Sequence, residues 1–192
     1  MVSKRKRVAL IFSVLLMVGG AATGCSRSEA TAGATDASTV DVGSPGLGPE
    51  DGYIESKSLS PFASDVPAIA NLDPALREAV QRAASDAMGD GVDFVVTSGW
   101  RSAFYQQFLL DDAVRTYGSA EVAGEFVLGP MESRHVTGEA IDIGRTDANS
   151  WLSQHGSDYG LCQIYANEMW HFELATTPRG ECPEQLSDAS AG

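Results

Sequence analysis

Apolar residues recur at helical spacing between Asp73 and Gly89, where Leu76, Ala79, Val80, Ala83, Ala87 and Met88 fall on one face. Asp73 is suited to cap that helix, Pro74 to its first turn and Gly89 to its end. Residues 92–97 are rich in β-branched and aromatic side chains and predict a strand. Ser102 is a candidate cap for a second helix carrying Phe104, Tyr105, Phe108 and Leu109. After a loop around residues 118–130, Ala140-Ile141-Asp142-Ile143 alternates, so Ile141 and Ile143 point to a core while Ala140 and Asp142 face the other way. A short helix is expected near residues 150–155 and a strand over 161–165. In Met169-Trp170-His171-Phe172-Glu173-Leu174, parity places Trp170, Phe172 and Leu174 on a core face and His171 on the opposite one. Glu168, three residues before His171, has the wrong parity for that face and is expected on a loop or bulge just ahead of the strand.

Helices and strands in this order predict an α+β fold, a single compact domain over residues 52–183 with helices packed on a mainly antiparallel sheet. Residues 25–51 are Ser, Thr, Ala, Gly and acid, with Pro45 and Pro49, and offer too little apolar surface to order themselves. They read as a tether, and the polar residues 184–192 as a frayed, flexible tail.

Charge narrows the partners. The 192 residues carry a formal net charge of -13, and four of the basic residues are Lys4-Arg5-Lys6-Arg7. Without them nine basic residues face 26 acidic ones, a formal charge of -17. That balance argues against nucleic acid and against polybasic attachment to a membrane surface. An anionic substrate would have to be drawn by local cations.

Two segments carry the chemistry: Ser133-Arg134-His135-Val136-Thr137-Gly138-Glu139-Ala140-Ile141-Asp142 and Glu168-Met169-Trp170-His171. His135, Asp142 and His171 are zinc-type ligands, and Glu168 is a spare carboxylate. A catalytic zinc takes three protein ligands, leaves its fourth position to water and lowers that water's pKa to about 7, while a nearby carboxylate accepts the proton. Gly138 permits the sharp reversal that brings His135 over the site. His155 lacks such neighbours and fits a helix C-terminus, followed by Gly156, where a cation favours the dipole.

These segments resemble the VanY-type D-Ala-D-Ala carboxypeptidases of peptidase family M15, zinc peptidases whose signature is S-x-H-x-x-G-x-A-x-D followed by E-x-W-H. A third element of that family, S-G-[YW]-R-S with a glutamine five residues after the arginine, matches Ser98-Gly99-Trp100-Arg101-Ser102 and Gln106. The resemblance spans roughly residues 73–174. It implies a compact hedgehog/DD-peptidase-like fold, Zn2+ on His135, Asp142 and His171, and Glu168 as catalytic base. It further implies substrate contacts from Arg101, which would meet the terminal carboxylate, and from Gln106 and Ser133. The implied activity is removal of a terminal D-amino acid, D-Ala foremost, from a peptidoglycan stem peptide by a monomer. An endopeptidase or L,D-carboxypeptidase acting on the same stem, or a non-catalytic zinc-containing wall-binding module, are the alternatives. Met169 stands where many members have proline, and the stretch from Tyr159 to Glu168 is shorter than in many relatives.

The N-terminus bears on compartment. The basic cluster precedes the apolar run 8–18 and then Ala22-Thr23-Gly24-Cys25, a pattern resembling a lipoprotein signal peptide over residues 1–24. The run is too short to favour a lasting transmembrane helix. Cys25 is the expected lipidated first residue, which would hold the protein by a lipid anchor on the extracytoplasmic face of the cell membrane; ordinary secretory cleavage nearby is the alternative. Cys162 and Cys182 then form an even pair, for which an exported chain favours a disulfide over zinc ligation.

Overall fold

Residues 46–191 are described in the computed structural model of the chain, so the expected leader, Cys25 and the tether up to Pro45 lie outside the described residues. A one-turn helix α1 (Pro67–Ala70) leads into α2 (Pro74–Gly89) and strand β1 (Val95–Ser98). Next come α3 (Ala103–Tyr117), α4 (Ala120–Gly124), α5 (Arg134–Thr137) and β2 (Ala140–Gly144). The sequence closes with α6 (Thr146–His155), β3 (Leu161–Gln163) and β4 (His171–Leu174).

Asp73 starts α2 as its sequence suggests, Oδ1 accepting from the N–H groups of Ala75 at 2.8 Å and Leu76 at 3.1 Å, donors that a helix start leaves without partners. The strands form one antiparallel sheet in the order β1-β2-β4-β3. Ile141 pairs with Phe172 across β2 and β4, and both join Leu76, Val80 and Ala83 of α2 in one buried apolar cluster. Burying side chains of this size stabilises by about 1.5–3 kcal/mol each. The sheet's other face carries Asp142 opposite His171.

Two glycines fix the approach to that face. Gly138 ends α5 with φ 78°, its carbonyl accepts from Asp73 N–H at 2.8 Å, and a side chain there would run into the carbonyl of Asn71. At Gly99 a side chain would run into the carbonyl of Ala68. A bulge between Val96 and Ser98 inserts Thr97 and sets Ser98 opposite Asp142.

The structure departs from the sequence expectations at several points. Regular structure is present ahead of Gly52: Pro49–Asp51 forms a 3-10 turn, and Asp51 Oδ1 accepts from Ser102 Oγ at 2.7 Å. Residues 184–191 are not a frayed tail. Leu186 accepts from Ala166 and donates to Ile164 through its backbone, and Ala189 is buried against the domain. Backbone pairing substitutes there for the apolar residues that the segment lacks. Trp170 is 42% exposed rather than in the core, because it precedes β4 in a turn, where alternation does not apply. Helix α6 begins at Thr146, four residues before the expected start, and buries Ala148 and Asn149. Strand β1 starts three residues later than expected and runs one residue further, to Ser98, and β3 occupies only the first part of its expected range.

Candidate metal centre

His135 from α5, Asp142 from β2 and His171 from β4 each present one ligand atom, and the three atoms lie within 4.8 Å of one another. Asp142 Oδ1 is 3.4 Å from His135 Nε2 and 3.3 Å from His171 Nδ1. The outward nitrogens are already engaged. His135 Nδ1 lies 2.8 Å from the carbonyl of Gly99, which can only accept, so Nδ1 carries the proton and Nε2 keeps its lone pair inward. Likewise His171 Nε2 lies 2.9 Å from Glu173 Oε1, which turns Nδ1 to the interior. The other carboxylate oxygen of Asp142, Oδ2, accepts from Arg101 Nη2 at 3.0 Å.

With His171 neutral, as a metal ligand must be, Asp142 Oδ1 and His171 Nδ1 are consequently buried without a hydrogen-bond partner. Burying such atoms unsatisfied costs about 1–3 kcal/mol each, and a cation satisfies both. Two imidazole nitrogens and one carboxylate oxygen are a zinc donor set with a fourth position to spare. The residues fit the metal that their spacing predicts.

Burial and the neighbouring Arg101 lower the pKa of His135, keeping it neutral and able to ligate. Burial opposes ionisation of Asp142, but His135, His171 and Arg101 together hold its carboxyl well below the usual range. For His171 burial alone would lower the pKa; the carboxylates of Asp142 and Glu173 outweigh it and raise the pKa to about 9.

Glu168 lies outside β4, in the turn that closes with His171 N–H donating to the Glu168 carbonyl at 3.1 Å. Its Oε2 is 3.9 Å from His171 Nδ1. Burial, reinforced by the charge of Asp142 and opposed by His171 and Arg101, pushes its carboxyl up to about 7. Cys162 and Cys182 are disulfide-bonded, with Cα atoms 5.6 Å apart, and the loop they close contains Glu168 and His171.

Arg101 is held on three sides: Nε donates to Ser98 Oγ at 2.7 Å, Nη1 to Gln106 Oε1 at 2.9 Å and Nη2 to Asp142. Three of its five N–H bonds are thereby used. Gln106 is fully buried and spends its amide within the protein, Nε2 donating to the carbonyl of Leu128 at 2.8 Å. Gln106 thereby helps to hold Arg101, and it lines the same cavity as the ligands. Ser133 is buried beside His135 and, with the three ligands, Glu168 and Arg101, lines a cavity of about 350 Å³.

Sequence reasoning did not single out Glu173, although it shares strand parity with His171. Nor did it find Tyr165, whose ring packs 5.0 Å from that of His171; nothing in the local pattern marks it.

A buried His-Asp-His set, one histidine from a short helix and the other two ligands from an antiparallel sheet, with a free carboxylate alongside, is the donor set of a mononuclear zinc site with an open fourth position. The chain belongs to the VanY D-alanyl-D-alanine carboxypeptidase family, whose model it matches over residues 69–178. It is similar to a curated D-alanyl-D-alanine carboxypeptidase of Enterococcus faecalis (strain ATCC 700802 / V583), 30% identical over 45% of this chain and 41% of the relative. The chain thus spans about two fifths of that relative's length. A solved structure of a VanY variant, a vancomycin-resistance D,D-pentapeptidase from a VanB-type cassette in complex with Zn(II), is 25% identical, with TM-score 0.50 over 53% of this chain and 71% of that one. VanYB in complex with D-alanine-D-alanine is 26% identical, with TM-score 0.50 over 53% of this chain and 70% of that one.

Proposed function

We propose that this chain is a zinc carboxypeptidase that removes a terminal D-amino acid, D-Ala foremost, from peptidoglycan stem peptides. The observation that carries the reading is the pair of orphaned buried atoms, Asp142 Oδ1 and His171 Nδ1, beside the buried carboxylate of Glu168, whose Oε2 is 3.9 Å from His171 Nδ1. Family membership and the similar VanYB complex with D-alanine-D-alanine support the substrate class.

His135, Asp142 and His171 would hold the zinc, which would supply Lewis acidity and a water activated near neutral pH. Glu168, placed 3.9 Å from His171 Nδ1, would take one proton from the attacking water and return it to the leaving amine. Arg101 keeps two N–H bonds for the terminal carboxylate, which a planar guanidinium suits. Its bond to Asp142 couples that recognition to the ligand set. Ser133 lines the same cavity and supplies a further polar contact for the peptide. A binding module without turnover would have no use for a spare carboxylate beside an open metal position.

The reading places the enzyme outside the cytoplasm, anchored by lipid at Cys25. The basic-apolar-small leader and the disulfide, a bond of oxidising compartments, support it. Among the described residues no helix is long and apolar enough to cross a membrane. Mass spectrometry of the exported protein tests the anchor; an unmodified Cys25 peptide would remove it.

The activity is tested by incubating stem pentapeptide with the zinc-loaded protein and following product mass, with and without a chelator. Chelator-sensitive loss of one D-Ala is expected. Full zinc occupancy with no cleavage of any stem peptide would overturn the proposal.

A further inference from the structure

Three cations line the cavity: Lys57, Arg101 and Arg134. Two are already neutralised, Arg101 by Asp142 at 3.0 Å and Arg134 by Glu139 at 2.7 Å. Among the described residues no carboxylate is within salt-bridge distance of Lys57, although the chain carries 26 acidic residues. It is also the sole lysine beyond Lys6.

The ammonium is held in place. Lys57 Nζ donates to Tyr105 Oη at 3.4 Å and sits 5.6 Å from the centre of the Tyr53 ring, which meets Tyr105 edge to face at 5.7 Å. Its backbone has φ 49°, a left-handed conformation unfavourable for a long side chain, and closes a turn by donating to the carbonyl of Ile54 at 3.1 Å. Strained backbone of this kind persists where the surroundings enforce it and is concentrated at functional sites. Lys57 is exposed, whereas Arg101 is largely buried against Asp142, and both line the cavity that holds the ligands. It also lies outside the residues matched by the family model.

We propose that Lys57 is a specificity residue that pairs with a carboxylate of the peptide substrate at the outer part of the cleft. The inference rests on the carboxypeptidase reading and deepens it. In a strongly acidic protein long-range attraction works against an anionic peptide, and a cation with no internal partner is the group able to receive a second carboxylate beyond the one assigned to Arg101. The preferred substrate is therefore an acidic peptide.

The test uses the zinc-loaded full chain in wild-type, Lys57→Met and Lys57→Arg forms. Three peptides are compared: the stem pentapeptide, the same peptide with its internal carboxylates amidated, and its C-terminal amide. Turnover is followed with Glu168 intact, and binding by calorimetry in a Glu168→Ala background. Lys57→Met is expected to weaken binding and raise KM for the free-acid peptide about three- to tenfold, the change falling on KM rather than kcat, with Lys57→Arg restoring most of it. The difference between wild type and Lys57→Met should vanish on the peptide with amidated internal carboxylates and persist on the C-terminal amide; a difference that vanished only on the C-terminal amide would overturn the pairing with a second carboxylate. Equal constants for wild type and Lys57→Met on the free acid, or the same loss on all three peptides, would overturn the role of Lys57 while leaving the peptidase reading intact. Peptides that bind in a Lys57-dependent way without being cleaved would sink the peptidase reading alone; no binding of any peptide would overturn both.

Discussion

Glu173 Oε1 lies 2.9 Å from His171 Nε2, and this one contact decides which nitrogen of His171 faces Asp142. A ligand histidine whose second nitrogen is tied to a carboxylate is fixed in tautomer and ring orientation and made more basic. Replacing Glu173 by Ala should weaken zinc binding about 10–100-fold without removing a ligand. Competition against a chromogenic chelator measures it; unchanged affinity would show that the ring is held by packing against Tyr165 instead.

Zinc binding should consume alkali. With its pKa raised to about 9, His171 is protonated at pH 7 in the metal-free protein and must lose that proton to ligate, so about one proton is released per zinc bound. Affinity should rise with pH until about 9. The stability of the metal-free protein should run the other way: a folded pKa above the ordinary 6.5 contributes stability that is complete below 6.5 and lost as pH rises through about 9. Calorimetry in buffers of different ionisation enthalpy counts the protons, and urea melts of the metal-free protein across that window give the second slope.

Removing the Glu168 carboxylate should leave zinc affinity near wild type and cost about 10²–10⁴ in kcat, the range for a positioned general base. Metal analysis alongside steady-state rates separates the two effects. Substantial residual turnover in Glu168→Ala would assign the proton to another group.

Breaking Cys162–Cys182 by a paired Ser substitution should destabilise by about 3 kcal/mol, since the closed loop has a sequence separation of 20. Because Glu168 and His171 ride on that loop, zinc affinity should fall in the same variant. Chemical denaturation and metal competition on one preparation test both.

The ligands were legible because local rules sufficed. Asp142 and His171 lie on strands whose alternation hides Ile141 and Phe172, and His135 precedes a glycine that only a reversal requires. Helix α2 announced itself through Asp73-Pro74. What stayed hidden depends on long-range contacts. Gln106 reads as a polar helix residue until Arg101 and the Leu128 carbonyl are found against its amide. Trp170 has core parity on paper but sits in a turn. The last residues look solvent-bound because their anchoring is by backbone, through Leu186, which no side-chain pattern reveals. Lys57 belongs to no motif, and its meaning comes from the partners it lacks.

The pairing of Asp142 with His171 also bears on how faithfully the site is assembled. A slip of β4 by one residue against β2 would swing Phe172 out of the apolar cluster and His171 into it. Correct alignment of the strands is thus enforced by the aversion of Phe172 and Ile141 to water, before any ion is present. The metal inherits its geometry from the oil on the far side of the sheet, and a mutation that loosened that apolar layer would act on zinc as a ligand mutation does, without touching a ligand.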